Sequence, residues 1–157
     1  MAIMDVRKNP DLVLREKASE IDPKEISGAR VQSLIADMKV TMHASNGIGI
    51  AGPQVGIPER IIIVETGKGP EAFINPQIVS RSLRKTDSEE GCLSIPGVFG
   101  IVKRNKAVTV RAFDAHGKEI KIKATGLPAI IFQHEIDHLD GILFIDKVER
   151  YTSPPRL

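Results

Sequence analysis

A single cysteine, Cys92, is all the chain contains, which excludes an internal disulfide and makes a reducing cytosol its natural setting. No segment approaches the length of apolar sequence that spans a bilayer, and the first residues lack the apolar core of a signal peptide. A cytoplasmic location with no membrane partner is therefore expected. An excess of either charge is missing too. Lysine and arginine number 22 against 20 aspartates and glutamates, a net charge of +2, so the balance gives no ground for a direct nucleic-acid partner. Repeats and low-complexity segments are absent. What remains is 157 residues, 41% apolar and 27% charged, the composition of an ordinary globular chain. It is expected to form one domain over 1–157, with a loosely ordered tail over 150–157.

Hydrophobic spacing places the elements. Residues 7–22, with Pro10 and mixed charges, suggest an irregular arm over the body. Asp22-Pro23 has the form of a helix start, and Val31, Leu34, Ile35, Met38 and Met42 recur at helical spacing to about His43. Residues 60–65 read as a short buried strand. Residues 72–80 read as a second strand, broken by Asn75-Pro76 and hence at an edge or a bulge. A charged segment, 81–90, leads into an abrupt Gly91-to-Gly97 stretch. Alternation at Val108, Val110 and Ala112, and again at Ile120, Ile122 and Ala124, makes a β-hairpin whose lysines form its solvated face. The class is α+β: mostly antiparallel mixed β-sheets wrapped around a central helix that runs from Thr125 to Asp140.

That helix carries the chemistry. In Gln133-His134-Glu135-Ile136-Asp137-His138 the two histidines, four apart, share a face and can bind one metal ion. Glu135 lies to the side, where it can reach a metal-bound water without being a ligand. The preceding run Ala129 to Phe132 is apolar without a break, so the helix is a buried one. Two imidazoles and a carboxylate carried into an interior require partners. A catalytic site needs a third protein ligand and an open position. The candidates are Cys92, aimed by the glycine-bounded segment around it, and a downstream carboxylate, Asp146 or Glu149, which would make a metallopeptidase. Upstream, residues 47–56 hold four glycines. With no strand before them and no helix after, they do not form a nucleotide loop, but they permit an extended peptide to pair with the backbone at Ile48 and Gly49.

Three stretches in this order, Gly47 to Gln54, Glu90 to Ser94 and Gln133 to His138, resemble the signature motifs of the bacterial peptide deformylases. The resemblance covers the chain from its N-terminal arm to Val148. It implies a metal-dependent hydrolase that removes the formyl group from N-formylmethionyl peptides and releases formate. Cys92, His134 and His138 would be the ligands of one divalent ion, Fe2+ in the family, with Zn2+, Ni2+ or Co2+ able to substitute. Glu135 would act as the base, with the Gln54 amide and the Leu93 N–H as donors to the oxyanion. Ile48, Gly49, Leu127, Ile130 and Ile131 would bind the substrate, and Glu90 with Arg104 would form a buried ion pair steadying the cysteine segment. The chain departs from the family pattern at Gly52, where most relatives have alanine, and at Phe99, where many have arginine. A place near the ribosome is implied, without the long C-terminal helix through which many relatives dock.

Overall fold

The computed structural model describes residues 1–153. Its elements are β1 (Gly49–Ala51), β2 (Ile61–Thr66), β3 (Gly69–Arg81), β4 (Lys85–Cys92), β5 (Ile95–Asn105), β6 (Ala107–Phe113), β7 (Glu119–Thr125) and β8 (Val148–Tyr151). The helices are α1 (Ala29–Ala44) and α2 (Gly126–Leu139). Five strands form one sheet in the order β1-β2-β3-β6-β7, and three form a second in the order β4-β5-β8. Every named strand pair is antiparallel. The expected mixed character comes down to one isolated parallel bridge, Ser19 with Glu59.

The larger sheet is the middle layer of a sandwich. Successive strand residues face opposite sides, and in β2 both sides are covered. Ile61 and Ile63 join the α1 core with Val31, Ile35, Met38 and Met42. Ile62 and Val64 join the α2 core with Phe73, Val110, Ala129, Phe132 and Ile136. A strand buried on both faces has no polar alternation to show, which is why its sequence reads as an unbroken apolar run. Phe132 of α2 meets Phe73 of β3 edge to face, ring centroids 4.9 Å apart. A third cluster, Leu14, Ile95, Val102, Leu143 and Phe144, lies against the smaller sheet.

Three expectations are corrected. The first helix begins at Ala29, not at Asp22. Asp22 caps only a 3-10 turn at Pro23–Glu25, and Gly28 takes extended backbone before the helix proper. Of the two places open to Asn75-Pro76, an edge or a bulge, the structure takes the bulge, in an interior strand. A register shift between Ile74 and Gln77 absorbs the proline, and Asn75, at φ 53°, turns its side chain to both backbone groups of Ile21. The charged segment 81–90 is mostly β4. Arg150 and Tyr151, assigned by sequence to a loose tail, pair in β8 with Ile101 and Gly100. Residues 154–157 of that tail lie outside the described residues.

Because Phe132 joins α2 to the sheet at the centre of its core, Phe132→Ala should destabilise the fold by about 3–5 kcal/mol. Urea unfolding would measure this; an unchanged midpoint would mean that α2 does not depend on that contact.

Candidate metal centre and its cavity

The two sheets meet α2 from different sides, and the site forms where they do. Cys92 ends β4 at a tight reversal, pairing with Ile95 across Leu93 and Ser94. The turn points its sulfur at α2. Cys92 Sγ is 3.4 Å from His138 Nε2, and the ligand atoms of Cys92, His134 and His138 all lie within 4.8 Å of one another. The two imidazole rings, one helical turn apart, are 5.1 Å between centroids. Among the described residues this is the group of cysteine, histidine and carboxylate side chains close enough to hold an ion. A thiolate with two imidazoles is a donor set suited to a transition metal, so the residues fit one.

Buried charges hold the rings in place. His134 Nδ1 is 2.8 Å from Glu90 Oε1, an orientation that leaves its other ring nitrogen to the site. Arg104 grips Glu90 in a two-point pair at 2.8 and 2.7 Å, and its remaining nitrogen reaches Asp137 at 2.8 Å. Lys147 meets the same Asp137 oxygen at 3.0 Å. The Arg104 and Glu90 side chains are almost wholly removed from water. Burial alone would push the Glu90 carboxyl up, but the bonds from Arg104 and His134 outweigh it and hold the group at about 2. The network therefore presents a fixed negative charge behind His134. Burial lowers His134, yet Cys92 and Glu90 raise it further, to about 10. The site attracts positive charge at that ring. His138, desolvated and beside His134, is pushed well below its usual value and kept neutral, the form in which imidazole binds metals.

Glu135 is buried, and its Oε2 has no hydrogen-bond partner among the described residues. Desolvation raises it to about 7, and a cation bound nearby would lower it again. Its carboxylate lies against Gly49, where a Cβ would stand 2.8 Å from Glu135 Oε1 and 2.9 Å from Ile131 Cγ2. Glycine is required there by close approach. Gln54 is also buried, and its orientation is set: Oε1 accepts from Ala51 N at 2.9 Å, which turns the amide nitrogen to Cys92 Sγ at 3.4 Å and Ser94 Oγ at 3.3 Å.

A cavity of about 640 Å³ opens onto these groups, lined by Ile48, Gly49, Leu93, Leu127, Ile130 and Ile131 with His134 and Glu135. Ile131 is buried, whereas Ile48 and Leu127 stand half-exposed at the mouth. The Ile48 carbonyl is occupied by Glu65 N at 2.9 Å. By the alternation of antiparallel pairing, Gly49 is then the residue whose backbone groups face the free edge of β1. At Ile48 it is the carbonyl that is already paired.

The downstream carboxylates are elsewhere. Asp146 is held by Arg15 and by Leu143 N, and Glu149 is exposed on β8. Two participants escaped the sequence: Ser94, buried beside the Gln54 amide, and Asp137. An acidic residue inside an apolar helix was the available signal for the latter.

The family model of polypeptide deformylase matches residues 3–153. The peptide deformylase of Thermodesulfovibrio yellowstonii is 50% identical over 153 residues, covering 94% of this chain and 90% of that one. That of Carboxydothermus hydrogenoformans is 47% identical over 156 residues, covering 99% and 100%. The crystal structure of peptide deformylase from Thermotoga maritima superposes with a TM-score of 0.91 at 35% identity, covering 96% of this chain and 100% of that one.

Two outcomes follow from this geometry. Cys92→Ala or His138→Ala should lose bound metal by elemental analysis while Asp146→Asn and Glu149→Gln keep it; the reverse would restore the carboxylate as third ligand. Arg104→Met should cost about 3–5 kcal/mol in urea unfolding, because Glu90 and Asp137 are left without their buried partner. A cost below 1 kcal/mol, well under that range, would show that the network is not holding charge out of water.

Proposed function

The chain belongs to the polypeptide deformylase family, and from that premise we propose how its own residues remove the formyl group from the N-terminus of a formylmethionyl peptide. The convergence of Cys92 with His134 and His138 beside Glu135 is the observation that carries the assignment of roles. These three residues would hold one divalent metal ion, ferrous iron by the family resemblance, with zinc, nickel or cobalt as substitutes. When bound, such an ion supplies Lewis acidity and lowers the pKa of a neighbouring water.

The remaining chemistry belongs to the protein. Glu135 accepts the proton of the attacking water and delivers it to the departing amine, so that formate and a free N-terminus result. Its buried position, with Oε2 unpaired among the described residues, leaves that oxygen for the water. Gln54, its amide nitrogen fixed towards the site, and the Leu93 N–H donate to the oxygen that gains negative charge. Each such donor is worth about 3–4 kcal/mol in comparable sites. Ile130 and Ile131, with Leu127 and Ile48 at the mouth, form a slot for the unbranched methionine side chain. Gly49 receives the peptide backbone along the free edge of β1.

The reading of a peptidase with Asp146 or Glu149 as ligand is not favoured, since both lie outside the donor group. We place the enzyme in the cytoplasm among nascent chains, with no membrane or nucleic-acid partner and with ribosome proximity as its setting.

Glu135→Gln should keep its metal and release formate from N-formyl-Met-Ala about 100- to 10,000-fold more slowly. Gln54→Leu should lose about 100- to 1,000-fold in kcat. Retained turnover in the Glu135 variant would remove that residue from proton transfer.

A further inference from the structure

Three large apolar side chains left half-exposed in the fold, Ile48, Phe99 and Leu127, share the lining of the one cavity that holds the catalytic groups. Ile48 and Leu127 stand by the methionine slot. Phe99 belongs to the other wall, on β5, and nothing in the reaction accounts for it. Its ring lies directly over the backbone of Gly91: a Cβ there would stand 2.5 Å from Phe99 Cε1 and 2.7 Å from Cδ1. Gly91 immediately precedes Cys92, so the ring forms a shelf beside the reacting centre.

The backbone at this point is closed to a peptide. Phe99 N donates to Ser153 Oγ at 3.0 Å, Phe99 O accepts from Thr152 N at 3.0 Å, and Ser153 Oγ donates to Gly97 O at 3.2 Å. The two residues just past β8 thus take both hydrogen-bonding groups of residue 99. On the facing wall Gly49 offers its backbone, so a peptide crossing the cleft meets main chain on one side and a phenyl face on the other. A half-exposed aromatic fixed against a rigid glycine contributes apolar area without loss of rotamer freedom on contact.

We infer that Phe99 is a specificity-determining residue, its ring favouring peptides with an apolar side chain at one of the two positions after formylmethionine. This rests on the deformylase reading above and adds a preference that the metal centre and methionine slot do not supply. Ser153, through the hydrogen bonds that flank the ring, acts as its positioning residue.

The experiment measures kcat/KM for formate release from N-formyl-Met-Xaa-Ser and N-formyl-Met-Ala-Xaa, with Xaa as leucine, phenylalanine, serine or asparagine. The native enzyme should prefer the apolar members of one series by about tenfold, the scale of one apolar contact in a binding pocket. Phe99→Ala should bring that ratio to within about twofold of unity while N-formyl-Met-Ala-Ser is still turned over, and Phe99→Leu should keep most of the preference. Ser153→Ala should weaken the preference in the same series. A purely structural role would lower every substrate alike and leave the ratio unmoved, and an unchanged ratio in Phe99→Ala overturns the proposal. Absence of formate release from all substrates by the metal-loaded native enzyme would instead overturn the deformylase reading, and this inference with it.

Discussion

The site depends on one buried carboxylate. Glu90 sits two residues before Cys92 on β4, is gripped by Arg104 from β5, and reaches His134 on α2. A single side chain therefore ties the cysteine segment, its neighbouring strand and the metal-binding helix. An isolated carboxylate in such a place would cost several kcal/mol in lost hydration, and its retention requires both partners. The consequence is geometric as much as energetic. Arg104 spans Glu90 and Asp137, so the smaller sheet and α2 cannot slide past one another without breaking a charge pair out of contact with water. That constraint brings a thiolate to two imidazoles 42 and 46 residues further along the chain.

The larger sheet supplies the other half. Because β2 is apolar on both faces, α1 and α2 can pack on opposite sides of it and fix α2 as an inner helix. The edge of that sheet, β1, then lies along the cavity, and Gly49 lets the Glu135 carboxylate come against its backbone. The proposed peptide-binding edge and the proposed proton-transfer group share one contact. Loss of space at Gly49 would disturb both.

Much of this was legible in the chain. The spacing of His134 and His138 along an apolar helix, the lone Cys92 between glycines, and the alternation of the β6–β7 hairpin each state their structure directly. The strands β4 and β5 went unread for one physical reason. In β4 the inward positions are Ser88 and Glu90, and in β5 one of them is Arg104. The usual signal for a strand is an apolar residue at each inward position, whereas here the interior is partly ionic because the site needs charge there. The same substitution of charge for apolar surface hid Asp137. At Asn75-Pro76 the proline left an edge or a bulge open, and the contact of Asn75 with Ile21 shows how an interior strand holds the bulge. The helix start at Asp22 was misplaced because its local cap serves a short turn instead of the helix, whose first residue follows Gly28.

The account stands on one thiolate and two imidazoles sharing a single cation. X-ray absorption at the edge of the bound metal in the purified native enzyme tests this most directly. One sulfur scatterer with two imidazole nitrogens in the inner shell, the sulfur vanishing in Cys92→Ser, is the predicted result. A shell made only of nitrogen and oxygen in the native enzyme would contradict it.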